Sequence, residues 1–66
     1  MKLTNNLKKY RKNAGLTQAE LAALVQVSRK TINTVENGIF IPSTILALSI
    51  AKILRIKVEE IFFLEI

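Results

Sequence analysis

The chain of 66 residues contains no cysteine, no histidine, no aspartate and no tryptophan. Without cysteine there are no disulfides and no thiolate metal sites to brace the fold, and a reducing compartment suits it. Without histidine and aspartate, acid–base chemistry is left to five glutamates, one tyrosine and the lysines, and no usual nucleophile-plus-base pair can be assembled from these. Glu59 and Glu60 are the one adjacent carboxylate pair. On a helix they point about 100° apart, so they read as first-turn acids favoured by the helix dipole. No enzyme is expected, and no cofactor, metal or small-molecule substrate is implied. The opening MKLTNN lacks the apolar core of a secretion signal, and the apolar stretch Ile45 to Ile56 is broken by Lys52 and Arg55 and too short to cross a bilayer. A cytoplasmic protein with no membrane partner is the expectation.

Apolar side chains are plentiful, at 50% of the residues with a mean hydropathy of +0.31. A domain this small buries only roughly 60% of its unfolded surface, so part of the excess is expected to meet a second chain. The formal net charge is +5 and the sequence pI is near 10.0, as for a polyanion binder. Residues 1–38 hold seven of the ten basic side chains and two of the five acids, whereas residues 39–66 are balanced. Charge is therefore concentrated in the N-terminal part.

That part contains TQAELAALVQVSRKTINTVENG, from Thr17 to Gly38. Thr17 with Glu20 three residues on forms a capping box, which predicts a helix starting near Gln18. Ser28 supplies a second hydroxyl cap, and a helix over Arg29 to Glu36 is stopped by Asn37-Gly38, the pair most able to turn left-handed. Leu21, Leu24 and Val25 on the first helix, with Ile32 and Val35 on the second, form two apolar stripes facing one core, and Val27 plugs the turn between them. Ala22 lies where the helices would cross most closely. The pattern over 17–37 is a helix-turn-helix. Arg29, Lys30, Asn33 and Thr34 share the outward stripe of its second helix as i, i+4 pairs. Arg and Lys suit the guanine acceptors, Asn the adenine edge, and a threonine methyl the thymine methyl. A charged stripe is most often a solvated face, but the second helix of such a pair is the one that enters a major groove.

Elsewhere, Asn5 or Asn6 caps a first helix that carries Leu7, Tyr10 and Ala14 inward, exposes Lys8, Lys9, Arg11 and Lys12, and ends at Gly15. Beyond the helix pair, Gly38 to Pro42 is expected to bring Ile39 and Ile41 back to the core. Ser43 caps a fourth helix to about Leu54 with a core stripe of Ala47, Ile50, Ala51 and Leu54. Ile45, Leu46, Leu48 and Ile53 make that helix apolar nearly all round, which predicts burial on more than one side. Val58 to Ile61 is one last helical turn. FFLEI, over 62–66, reads as a strand whose nearby partner is MKLT, over about 1–4. Two strands alone are marginal, so pairing across a twofold axis is expected, with Leu3, Phe62, Phe63, Leu64 and Ile66 at a dimer interface.

The segments NNLKKYRKNAGLTQAELA, VSRKTINTVENG, IPS and LSIAKILRIKVEEIFF together resemble the Cro and phage-repressor type helix-turn-helix regulators, the XRE family. The resemblance covers nearly the whole chain, 1–66. It implies a five-helix, all-α domain that binds operator DNA as a homodimer and regulates transcription, most often as a repressor. By position, Gln18 resembles the glutamine that contacts a phosphate and steadies the recognition helix. Arg29, Lys30, Asn33 and Thr34 resemble base readers. Ser28, Thr31, Asn37 and Gly38 would hold phosphates, and Arg11 with Glu36 resembles a salt bridge tying the first helix to the third. Gln26 stands where the turn often has glycine, at a cost of about 1 kcal/mol if it turns left-handed. Arg55 replaces a common glycine after the fourth helix, and Lys57 a common Ser or Thr cap of the fifth.

The reading is a sequence-specific regulator bound to double-stranded DNA through the helix 29–36, on an inverted-repeat operator. The alternative is an antitoxin-like or coactivator-like module whose apolar C-terminal part binds a protein, with DNA binding secondary.

Overall fold

The computed structural model describes residues 1–66 and contains a strand β1 (Lys2–Asn5), helices α1 (Leu7–Asn13), α2 (Gln18–Leu24), α3 (Arg29–Glu36), α4 (Thr44–Leu54) and α5 (Val58–Ile61), and a strand β2 (Phe62–Glu65). Five helices lie at the expected places. The fold is nevertheless not purely helical, because β1 and β2 pair with each other, antiparallel, within one chain. Leu3 faces Leu64 and Asn5 faces Phe62 in this register, so these four share one side of the ribbon. Phe62 is buried on that side and Leu3 packs against the core. The Asn6 N–H donates to the Ile61 carbonyl at 2.9 Å, fastening the start of α1 to the end of α5.

The boundaries follow local chemistry. At α2 the Thr17 hydroxyl accepts from the Glu20 N–H at 3.0 Å, while the Thr17 N–H donates to Glu20 Oε1 at 2.8 Å. This complete capping box satisfies two donors that the first turn would otherwise leave open. Ser28 accepts from the Thr31 N–H and Ser43 from the Leu46 N–H, which fixes the starts of α3 and α4. At α1 the competition between the two asparagines is won by Asn5, whose Oδ1 accepts from the Leu7 N–H, whereas Asn6 occupies the cap position without a side-chain bond. Two non-glycine residues adopt positive φ: Gln26 at 61° in the turn between α2 and α3, and Arg55 at 58° after α4. Both stand at positions where glycine would be free of strain.

One core joins the elements. Leu7, Leu21, Ile32, Val35, Ile50 and Ile61 are sealed from solvent, and Ala22, Leu46, Ala51, Leu54 and Phe62 complete the cluster. Each large member contributes about 1.5–3 kcal/mol by leaving water. Ala22 lies at the meeting of α2 and α3, and the Val27 N–H returns to its carbonyl at 2.9 Å. Several apolar side chains expected inside are outside. Ala14 follows the last helical residue of α1 and is exposed, and Leu24, the last residue of α2, projects past the helix pair. Ile39 and Ile41 are 76% and 70% exposed. The N–H groups of Ile39 and Phe40 both donate to the Thr34 carbonyl, and this tight turn aims the side chains outward. In α4 the buried stripe includes Leu46, while Ile45, Leu48 and Ile53 face solvent. No helix is long and apolar enough to cross a membrane.

Candidate nucleic-acid interface

The exposed side of α3 is built around Gln18, the first residue of α2. Its Nε2 donates to Asn33 Oδ1 at 3.2 Å and to Glu36 Oε1 at 3.0 Å, and its Oε1 accepts from Arg29 Nη1 at 3.1 Å. Residues 29, 33 and 36 are successive turns of one helix face, so a single amide stitches α2 along the length of α3. Glu36 in turn is gripped by Arg11, Nε to Oε2 at 2.6 Å and Nη2 to Oε1 at 3.2 Å. This two-pronged geometry is the strong form of a carboxylate–guanidinium pair. Its side chains are 8% and 3% exposed, and Arg11 also donates from Nη1 to the Leu16 carbonyl at 2.8 Å. Arg11 is therefore a structural residue of α1 and not part of its exposed basic face.

Asn33 receives a second donor, Asn37 Nδ2, which also bonds the Asn33 carbonyl at 2.9 Å. With its oxygen held by two amides, the Nδ2 of Asn33 is aimed outward. The Thr34 hydroxyl is turned back on the helix, donating to the carbonyls of Lys30 and Thr31 at 3.0 Å, which leaves its methyl as the outward group. Ser28 and Thr31 share a hydroxyl contact at 3.0 Å at the start of α3. The backbone N–H groups of Asn37 and Gly38 donate to Asn33 and Val35, so hydrogen-bonding capacity at this end resides in side chains. Lys30 is exposed and makes no side-chain bond.

α3 breaks a rule the other capped ends obey. Acids occupy the first turn of α2 (Glu20) and of α5 (Glu59, Glu60), where they stabilise the positive end of the helix dipole. The first turn of α3 has none and carries Arg29 and Lys30 instead. Glu20 itself is exposed, and its carboxyl lies below its ordinary value of 4.5 because the Thr17 backbone N–H, and secondly its hydroxyl, stabilise the anion.

Two features of this arrangement do not follow from the sequence pattern. Asn5 donates from Nδ2 to the Val35 carbonyl at 3.0 Å, anchoring β1 to α3 across 30 residues. The other is the role of Asn33 as an acceptor bridging Gln18 and Asn37. The spacing of Asn33 and Asn37, four residues apart on one helix face, is the one signal that could have revealed it.

The Helix-turn-helix family model matches residues 7–61. Over 63 residues the chain is 46% identical to an HTH-type transcriptional regulator of Methanocaldococcus jannaschii, with 96% of each covered. It is 38% identical over 63 residues to the HTH-type regulator YgzD of Bacillus subtilis, again with 96% of each covered. Among solved structures, the restriction-modification controller protein C.AhdI from Aeromonas hydrophila superposes with a TM-score of 0.76 at 33% identity, over 82% of either chain. The chain belongs to the helix-turn-helix family, in its XRE branch, and is a transcriptional regulator with a DNA-binding domain.

Proposed function

We propose that residues 1–66 act as one unit that represses transcription by binding an inverted-repeat operator as a homodimer, with α3 of each copy in a major groove. The observation that carries this is the outward face of α3, where two cations without a carboxylate partner sit at the positive end of the helix and the Gln18 amide fixes Arg29 and Asn33. Arg29 and Lys30 read guanine, the Nδ2 of Asn33 reads an adenine edge, and the Thr34 methyl touches thymine. Gln18, Ser28, Thr31 and Asn37 hold phosphates bordering the groove, with the Gly38 turn setting the approach of the backbone. Gly38 has φ +73° with open space around its Cα, so its glycine serves conformation and not clearance.

The ribbon supplies the second copy's docking surface. Phe62 and Leu3 are committed to the monomer core, which leaves Phe63, Leu64 and Ile66 exposed at the end of β2. Phe40 and Ile41 lie beside Leu3 and Phe62 and extend the apolar surface towards the C-terminal end of α3. A twofold axis through this surface places the two α3 helices on the same side of the dimer, as half-sites about 34 Å apart require.

The test is selection from random duplex DNA at moderate salt, followed by competition with unrelated duplex. Enrichment of a palindrome with half-sites one helical turn apart supports the reading. A pool that stays random overturns it and moves the function to a protein partner of the apolar surface.

A further inference from the structure

The basic face of α1 plays no part in the interface around α3, yet it forms a site of its own. Lys8, Lys9 and Lys12, with Asn5, Asn6 and Glu36, line an open groove of about 400 Å³ that contains no apolar side chain. All three lysines are exposed. The ion pair of the chain is Arg11–Glu36, so none of them has a carboxylate within 4.0 Å. Glu36 forms a wall of the groove, but its oxygens are occupied by Arg11 and Gln18 and its charge is matched by the guanidinium. Three cations thus converge without compensation, and Lys9 is steadied over the ring of half-buried Tyr10 at 5.6 Å.

The position of the groove selects its occupant. Its Glu36 wall is the same residue that anchors Gln18, and through Gln18 it is one hydrogen bond from Asn33 and Arg29. A duplex seated on α3 brings its densely charged backbone, about one charge per 1.7 Å of axis, past this opening. We infer that the Lys8–Lys9–Lys12 groove is a second DNA contact, separate from base readout, which holds phosphodiester oxygens of the strand beside the groove that α3 enters. The inference rests on the proposed binding of DNA through α3. It assigns the three lysines to affinity and salt dependence, and none of them to sequence choice.

The test compares two charge-matched variants of the full chain: Lys8→Ala/Lys9→Ala/Lys12→Ala in the groove, and Lys2→Ala/Lys52→Ala/Lys57→Ala outside it. Circular dichroism first establishes that both fold. Affinities for the selected operator and for a scrambled duplex are then measured across a salt series, and ethylation interference maps the phosphates each protein needs. The groove variant is expected to lower the slope of log K against log salt by about 2.7, or about 0.9 per lost phosphate contact. Doubling the salt then costs it about sixfold less affinity than it costs the parent. Its loss is the same on both duplexes, and a set of phosphates essential to the parent becomes dispensable. Equal slope changes in the two variants, or an unchanged interference pattern, overturn the inference. The two readings fail separately. A parent that selects an operator while the groove variant behaves like the control refutes the groove alone. A parent that binds every duplex equally, with the groove slope still reduced, refutes base readout and leaves the groove standing.

Discussion

Replacing Arg11 with methionine removes one partner of a buried ion pair and leaves the other in place. Glu36, 3% exposed, then keeps a single donor, Gln18 Nε2, for a carboxylate that has no access to water. Breaking such a pair from one side costs about 3–5 kcal/mol, because the remaining charge stays desolvated. At about 0.05–0.15 kcal/mol per residue, a domain of this length has roughly 3–10 kcal/mol of stability in total. Arg11→Met is therefore expected to remove a third of it at least, and to unfold the chain at the low end of that range. In urea, with a slope of about 1 kcal/mol/M for a small domain, the midpoint moves down by about 3 M, and a thermal melt moves by more than about 12 °C. The double variant Arg11→Met/Glu36→Leu recovers most of that loss, because an apolar pair of similar volume replaces a charge pair whose desolvation nearly cancels its attraction. It does not recover DNA binding, since Gln18 has lost the carboxylate that orients it. A single variant within about 0.5 kcal/mol of the parent refutes the argument, because surface substitutions without structural consequence stay inside that margin.

Gln26→Gly and Arg55→Gly relieve left-handed backbone at 61° and 58° and are each expected to stabilise the domain by about 0.5–1 kcal/mol in urea titrations. Thr17→Ala removes the α2 cap and costs about 1 kcal/mol. Because the Glu20 carboxyl lies below 4.5 in the folded chain, its contribution is complete above the unfolded value and fades as the pH falls through the folded one. The stability difference between the parent and Glu20→Gln should therefore vanish in acid urea titrations and be full at neutral pH. Arg29→Ala and Lys30→Ala each weaken operator binding by roughly 1–3 kcal/mol and relax choice at one base position, and equal losses on all duplexes in competition assays would speak against base contacts. Phe63→Asp or Leu64→Asp shifts the light-scattering mass from two chains to one, and an unchanged mass rejects the interface.

Elements bounded by their own side chains are legible in the amino-acid sequence. Thr17 with Glu20, Ser28, Ser43, Gly15 and Gly38 place helix ends through bonds that span at most three or four residues, and the left-handed turns at Gln26 and Arg55 are fixed by the helices around them. The side on which an apolar residue falls at the end of an element is not legible in the same way. Leu24 obeys the periodicity of α2, but the helix stops there and its side chain passes the edge of the core. Ile39 and Ile41 alternate as core residues would, yet the double acceptance by the Thr34 carbonyl turns that segment outward. The link from Asn5 to Val35 joins positions 30 residues apart and has no local trace in the sequence. Arg11 shows the same limit from the other side. Helical spacing alone groups it with Lys8 and Lys12, and only the approach of α3 turns it inward.

The network around Gln18 explains why a marginal domain keeps a buried charge pair. Arg11 and Glu36 contribute little net stability against an apolar replacement, but Glu36 is the fixed point from which Gln18 reaches Asn33 and Arg29. Long side chains held in place before DNA arrives lose less rotamer freedom on binding, about 0.5–1.5 kcal/mol for each one otherwise immobilised. The cations in the first turn of α3 act in the opposite direction on the free protein, since each opposes the helix dipole by about 0.3–1 kcal/mol at low ionic strength. Phosphates and guanine acceptors supply the missing negative charge at that end of the helix. Local consistency is given up where the ligand binds and restored by the ligand, so the same two residues that weaken α3 in isolation are the ones that gain most from DNA.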